Sequence, residues 1–155
     1  MNIRRATKND IPKINDLLHQ VLDIHYIGRP DIFKKDAKKY TDDELLSIIK
    51  DDEKPIFVYV ENEVVMGYAF CVFQQYVNNN ILTDIKTLYI DDLCVDKNAR
   101  GKHIGAKLYE YVLGFAKENG CYNVTLNVWN LNENAMKFYK KQGLEIQKTY
   151  MEKIL

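Results

Sequence analysis

Midway along the chain the residue pattern changes from one that pairs neighbouring strands to one that cannot, and this change restricts the fold more than any other feature. Ile56-Phe57-Val58-Tyr59-Val60, Val64-Val65-Met66 and Tyr68 to Val77 are rich in β-branched and aromatic residues, with Glu61-Asn62-Glu63 as a polar turn. They predict an antiparallel hairpin. After Asn78-Asn79-Asn80 a further strand runs from about Lys86 to Val95. Asn98-Ala99-Arg100-Gly101-Lys102 breaks it, and Ile104, Leu108, Val112, Phe115 and Ala116 then recur at helical spacing. Gly120 stops that helix, Asn123 to Trp129 reads as a buried strand, Asn132 caps a helix through Gln142, and Gly143 releases the chain into a last strand. Helices that cross between strands must cover the faces those strands bury, so antiparallel strands followed by β-α-β units predict an α/β fold of three layers, α/β/α, around a mixed sheet.

The first third fits that frame. Thr7-Lys8-Asn9-Asp10 has the form of a capping box, and Ile11, Ile14, Leu17, Leu18, Val21 and Leu22 follow at helical spacing, with Pro12 tolerated in the first turn. A second box, Thr41-Asp42-Asp43-Glu44, opens a short helix carrying Leu45, Leu46, Ile48 and Ile49. Between them His25 to Tyr40 reads as the longest irregular stretch. No linker or repeat divides the 155 residues, which predicts one domain over 1–155. Three Cys are too few for a disulfide framework, and Cys71, Cys94 and Cys121 are spaced too widely for a zinc pattern, so they read as buried reduced thiols and no metal is expected. Met1-Asn2-Ile3-Arg4-Arg5-Ala6 lacks an apolar signal core and no apolar run would span a bilayer, which predicts a cytoplasmic protein with no membrane partner. The 22 basic residues balance 22 acidic ones, so nothing attracts nucleic acid globally and an anionic ligand must be held by a local cluster.

One segment supplies such a cluster. Leu88 to Val95 would be a strand that delivers the loop Asp96-Lys97-Asn98-Ala99-Arg100-Gly101-Lys102-His103 to a helix beginning near Ile104. The first amides of a helix lack intrahelical partners and lie at the positive end of its dipole, while Gly101 and Gly105 leave room for close approach. Lys97, Arg100, Lys102 and Lys107 against Asp96 leave this stretch three charges positive. A phosphate-bearing ligand fits, although the loop is neither a Walker loop nor a dinucleotide fingerprint.

Arg100-Gly101-Lys102-His103-Ile104-Gly105 resembles the acyl-CoA loop Q/R-x-x-G-x-G/A of the GNAT acyltransferase superfamily, with His103 where that family most often has Gly. Asn132-Glu133-Asn134-Ala135-Met136-Lys137-Phe138-Tyr139-Lys140-Lys141-Gln142-Gly143-Leu144 is similar to the family's N-x-x-A-x-x-F-Y-x-x-x-G-F segment, and the two matches with their strand order cover roughly residues 56 to 155. The resemblance implies a mostly antiparallel mixed sheet and an N-acetyltransferase that moves the acetyl group of acetyl-CoA to a primary amine by direct attack on the thioester. It implies that the amides of His103, Ile104, Gly105 and Ala106, with Arg100, Gly101 and Lys102, hold the pyrophosphate. The backbone of Leu93, Cys94 and Val95 would pair with the pantetheine as an added strand, and Asn132 would touch the cofactor besides capping its helix.

For the leaving thiolate the resemblance implies Tyr139, whose reference pKa lies above that of a thiol by an amount that makes full proton donation uphill by about 2 kcal/mol. An alkylamine is almost wholly protonated at pH 7. Asp91 lies where some family members that act on small polyamines carry an acidic residue, so it is the expected base or ammonium anchor, with Asp92 following on the opposite strand face. His25 and Arg29 fall where the family builds its acceptor pocket. Trp129, Tyr122, Tyr109 and Tyr111 read as core or cleft walls. Two other readings stay open: a protein or peptide N-acetyltransferase with an open groove, and a non-catalytic acyl-CoA-binding module. Family habit adds a symmetric homodimer through the last strand or the adjacent helix.

Overall fold

A computed structural model describes residues 2–155; Met1, which opens the charged start read from the sequence, lies outside them. The elements are β1 (Ile3–Arg5), α1 (Ile11–Gly28), α2 (Asp42–Ile49), β2 (Ile56–Glu61), β3 (Val64–Gln75), β4 (Lys86–Val95), α3 (Ile104–Glu118), β5 (Asn123–Leu126) and α4 (Glu133–Lys141). The sheet order is β1-β2-β3-β4-β5. The first four strands are mutually antiparallel and β5 lies parallel to β4. This is the three-layer mixed sheet expected: α3 provides the crossover by which β5 comes to lie parallel to β4, while the other neighbouring pairs run antiparallel.

Both capping boxes form. Thr7 N–H donates to the Asp10 carboxylate at 2.8 Å, and Arg4 grips the same carboxylate through two hydrogen bonds of 2.7 and 3.0 Å. Thr41 N–H donates to Glu44 at 2.9 Å while Glu44 N–H donates back to the Thr41 hydroxyl at 3.1 Å. The β2–β3 turn places Asn62 and Glu63 at φ +50° and +64°, the primed geometry whose twist matches the strands. One face of the sheet packs Phe57, Cys71, Leu88 and Ile90 against Ile104, Leu108 and Val112 of α3. The other packs Ile56, Val58, Tyr68 and Phe70 against Ile14, Leu17 and Leu18 of α1 and Leu45 of α2. Burial of each large side chain contributes roughly 1.5–3 kcal/mol, so these two interfaces hold the layers together.

Four local expectations need correcting. The irregular stretch begins only after α1 ends at Gly28, so His25 lies on the last helical turn. The strand read over 123–129 stops at Leu126 and its residues are half-buried. Residues 144–155 form no strand and leave the outer edge of β5 unpaired among the described residues. Tyr122, expected in a core or cleft wall, is 75% exposed, whereas Tyr109 is a buried residue of α3 itself. No helix of the described residues is long and apolar enough to cross a membrane.

Candidate active site

The parallel pairing of β5 with β4 covers only Thr87 to Ile90, opposite Asn123 to Leu126. Beyond Ile90 the β5 side of β4 runs on without a strand partner among the described residues, so the edge of Asp91 to Val95 is open there while its other side stays paired with β3. Gly67 makes that inner pairing tight, since a Cβ on it would lie 2.8 Å from the Cys94 carbonyl oxygen. The open edge leads through a 3-10 turn at Lys97–Ala99 into the start of α3. The first helical bond there is Lys107 N–H to His103 O at 3.1 Å, which leaves the amides of Ile104, Gly105 and Ala106 without an intrahelical acceptor.

The loop itself depends on two left-handed residues. Gly101 has φ +87° and His103 caps the helix at φ +60°, a conformation that costs a non-glycine residue roughly 1 kcal/mol. Gly105 gives α4 access to the helix: a Cβ there would sit 3.4 Å from the Phe138 ring. Lys102 lies 3.7 Å from Glu61, and Arg100 forms no ion pair among the described residues. These are the residues and free donors that a pyrophosphate requires, and an extended chain bearing amides would find its partners on the β4 edge. The side chain of Cys94 takes no part, because it is turned into the core with its thiol 3.8 Å from Leu17 O.

A register shift sits at the middle of this edge. Phe70 opposes Asp92 and Cys71 opposes Ile90, so Asp91 is the extra residue of a β-bulge. Without the bulge, neighbouring carboxylates would point to opposite faces, as the sequence reading expected. With it, both meet groups on the α1/α2 side of the sheet. Tyr68, in the core of that face, donates its hydroxyl to Asp92 at 2.6 Å. Lys39 Nζ lies 3.4 Å from Asp91 Oδ2, and Asp91 lines a cavity of about 200 Å³ with Tyr40, Ile48 and Phe70.

The electrostatics around Asp92 are set mainly by burial. Burial pushes the Asp92 carboxyl above the ordinary aspartate range, helped by Asp91 and opposed by the Tyr68 hydrogen bond and by Lys39. Burial and the adjacent Asp92 hold Tyr68 well above its ordinary value, so it remains a donor. Tyr139, half-buried on α4, is raised by burial and then by Asp92, Cys94 and Tyr109, which keeps its phenol protonated near the open edge. Burial opposes the Lys39 charge, but Asp91 beside it and Asp92 nearby outweigh that and hold the ammonium above the usual lysine range.

Of the other residues singled out in the sequence, His25 joins this neighbourhood: its ring lies 4.9 Å from Phe33 and 6.1 Å from Trp129, and burial followed by the charge of Lys39 lowers its pKa. Arg29 is drawn away, bound by Asp31 and by Glu152. Asn132 caps α4, accepting from Ala135 N–H at 3.1 Å. Cys71 and Cys94 are buried free thiols pushed up to about 12 by burial, whereas Cys121 is only partly buried. His19, with no ligand spacing in sequence, lies 3.7 Å from Asp23 and 4.0 Å from Asp36 on the exposed side of α1. Tyr68, Lys39 and Tyr40 were not singled out from the sequence. Tyr68 reads as one more inward strand residue, and Lys39 as one more loop lysine; only the strand register and the loop path bring them to the carboxylates.

Comparison with known proteins gives the family. The family model described as "Acetyltransferase (GNAT) family" matches residues 18–144. An uncharacterized N-acetyltransferase of Methanocaldococcus jannaschii is 28% identical over 143 residues, which is 92% of this chain but 60% of that protein, so the chain spans less than two thirds of that relative's length. A crystal structure of a mutant Bacillus halodurans protein superposes with a TM-score of 0.95 at 29% identity, covering 100% of this chain and 99% of that one. The crystal structure of glucosamine-6-phosphate N-acetyltransferase from Arabidopsis thaliana gives a TM-score of 0.71 at 25% identity, covering 98% of this chain and 96% of that one. With an open β4 edge feeding a cationic helix start, and a family model that matches most of its length, the chain belongs to the GNAT acetyltransferase family.

Proposed function

We propose that the chain transfers the acetyl group of acetyl-CoA to a primary amine of a small molecule. The observation that carries this reading is the end of β4, where an unpaired backbone edge, the free amides of α3 and a raised carboxylate lie within one strand and loop. Acetyl-CoA, when bound, supplies an activated thioester carbonyl. Arg100, Gly101, Lys102 and the amides of His103 to Ala106 hold its pyrophosphate, and the backbone of Leu93, Cys94 and Val95 holds its pantetheine. Asn132 fixes the start of α4 and with it the position of Tyr139.

The chain's own proton handling follows from the two acids. Asp91 and Asp92 attract the ammonium, and Asp92, made more basic than an ordinary aspartate by burial, takes the proton the amine must lose before it can attack. As the amine nitrogen bonds to the acyl carbon and the carbon–sulfur bond breaks, Tyr139 hydrogen-bonds or protonates the departing sulfur. His25 forms part of the acceptor wall with Phe33 and Trp129. A small acceptor is favoured over a protein because Lys39 and Tyr40, at the end of the 29–41 segment, stand against Asp91 at a cavity of only about 200 Å³. Two copies would associate through residues 144–155, whose exposed Ile146, Tyr150 and Met151 follow an open β5 edge.

Purified protein mixed with acetyl-CoA and a panel of polyamines, amino acids, aminoglycosides and short peptides tests the reading through thiol release. Amine-dependent release is expected, and Tyr139→Phe should slow it at least tenfold while calorimetry finds coenzyme affinity within twofold of wild type. Coenzyme binding without release by any amine would favour a non-catalytic acyl-CoA-binding module.

A further inference from the structure

The acceptor side of the two carboxylates already has an occupant from the chain itself. Lys39 presents an unbranched four-carbon stem ending in an ammonium. That ammonium lies 3.4 Å from Asp91 and 5.4 Å from the centroid of the Tyr40 ring, and it acts electrostatically on Asp92. An alkylammonium between carboxylates and an aromatic face is a complete recognition arrangement for a cation. We propose that Lys39 stands in the place of the acceptor, and that the acceptor is an unbranched primary alkylammonium which enters between Asp91, Asp92 and Tyr40 by displacing the Lys39 side chain. This rests on the amine acetyltransferase reading and names its substrate class.

Three observations make the exchange feasible. The Lys39 side chain is 43% exposed and that of Asp91 33%, and a half-exposed pair of this kind is weakly held. The segment that carries it is fixed at its ends, where Arg29 N–H bonds to His25 O and Thr41 caps α2, but residues 37–40 donate no backbone hydrogen bond to a strand or helix among the described residues. Phe33, packed edge-on against Trp129 at 5.1 Å and tilted on His25, anchors the other part of the segment, so Lys39 can swing without dismantling the wall. When it leaves, two carboxylates on one face meet the incoming ammonium, and the deeper one, Asp92, is positioned to take its proton. Lys39 is therefore a positioning and selectivity residue: it competes with weak or short cations and sets the acceptor concentration at which the site fills.

Titration of the full chain with n-butylammonium chloride, followed by calorimetry, tests the exchange without any acyl donor. Lys39→Met should bind n-butylammonium at least fivefold more tightly than wild type, and Lys39→Arg, which keeps a competing cation, should stay within twofold of it. With acetyl-CoA present, KM for n-butylamine should fall by the same factor in Lys39→Met, with kcat changed less than KM. Equal or weaker binding by Lys39→Met would overturn the proposal, and a gain just as large for D-glucosamine would overturn the unbranched class. Thiol release that proceeds without any Lys39 effect leaves the acetyltransferase reading standing and removes this one. Tighter n-butylammonium binding by Lys39→Met with no thiol release from any amine does the reverse.

Discussion

Three influences meet at the Asp92 carboxylate: burial favours its neutral form, while the Tyr68 hydroxyl at 2.6 Å and the Lys39 ammonium favour its charge. Burial wins, so the group titrates above an ordinary aspartate, with Asp91, Cys94 and Tyr139 as its other close electrostatic neighbours. A base must be ionised to act, so activity should fall as pH drops through this raised value, giving an acid limb higher than a free carboxylate would. Asp92→Asn should lower kcat by roughly 10²–10⁴ and abolish that limb. Tyr68→Phe gives the sharper test. It deletes a hydrogen bond that stabilises the charged form and is worth about 1.5–3 kcal/mol, or roughly one to two pH units. The acid limb of kcat/KM should move up by that amount, which a merely structural Tyr68 would not cause. The sequence named both acids but favoured Asp91 as the base and did not single out Tyr68, because adjacency in a strand argues for opposite faces. The bulge that reverses this leaves no mark in residue type.

At the scale of elements, the site is held in place by a contact between the first helix and the loop after β4. Lys13 on α1 donates to Asp96, whose other carboxylate oxygen accepts from Asn98 N–H at 3.0 Å and whose own N–H reaches Met66 O at 2.8 Å. Asp96 is only 4% exposed, and the Lys13 hydrogen bond, then that from Asn98, lower its pKa. A depressed folded value means that the stabilisation is complete above the unfolded pKa near 4 and is lost as pH falls through the folded one. Asp96→Asn should therefore cost about 2 kcal/mol in urea unfolding at pH 7, with the difference from wild type shrinking below pH 4. An undiminished difference at pH 3 would show that the carboxylate charge is not what ties α1 to the loop. Elements whose ends carry their own chemistry were legible: both capping boxes, the Glu61-Asn62-Glu63 turn, the Lys86–Val95 strand and the α3 start all form where the residues place them. Those defined by a partner were not. Asp96 reads as a loop acid until Lys13, 83 residues away, is brought beside it.

For the whole molecule the tail poses the remaining question. Residues 144–155 carry the apolar and polar mixture of a strand, and a strand was expected there, yet a strand exists only if another edge receives it. The described residues end the sheet at β5, which presents such an edge, while Tyr150 is 100% and Met151 86% exposed and Glu152 is held only by Arg29. One chain thus has an unsatisfied edge and an unsatisfied strand-like segment. A second copy related by a two-fold axis would satisfy both at once, each tail lying on the other's β5 and its apolar side chains leaving water in the same step. Sedimentation equilibrium should give twice the 18.2 kDa chain mass at micromolar concentration. Truncation after Glu145 should give monomers that keep α4 intact, since the last bond tying α4 to the tail, Leu144 N–H to Tyr139 O at 3.1 Å, is retained. Because Tyr139 and the β4 edge lie on the chain's own elements, such monomers should still bind coenzyme. A wild-type mass of one chain throughout the concentration range would leave the tail without a partner of its own kind and would remove the exchange.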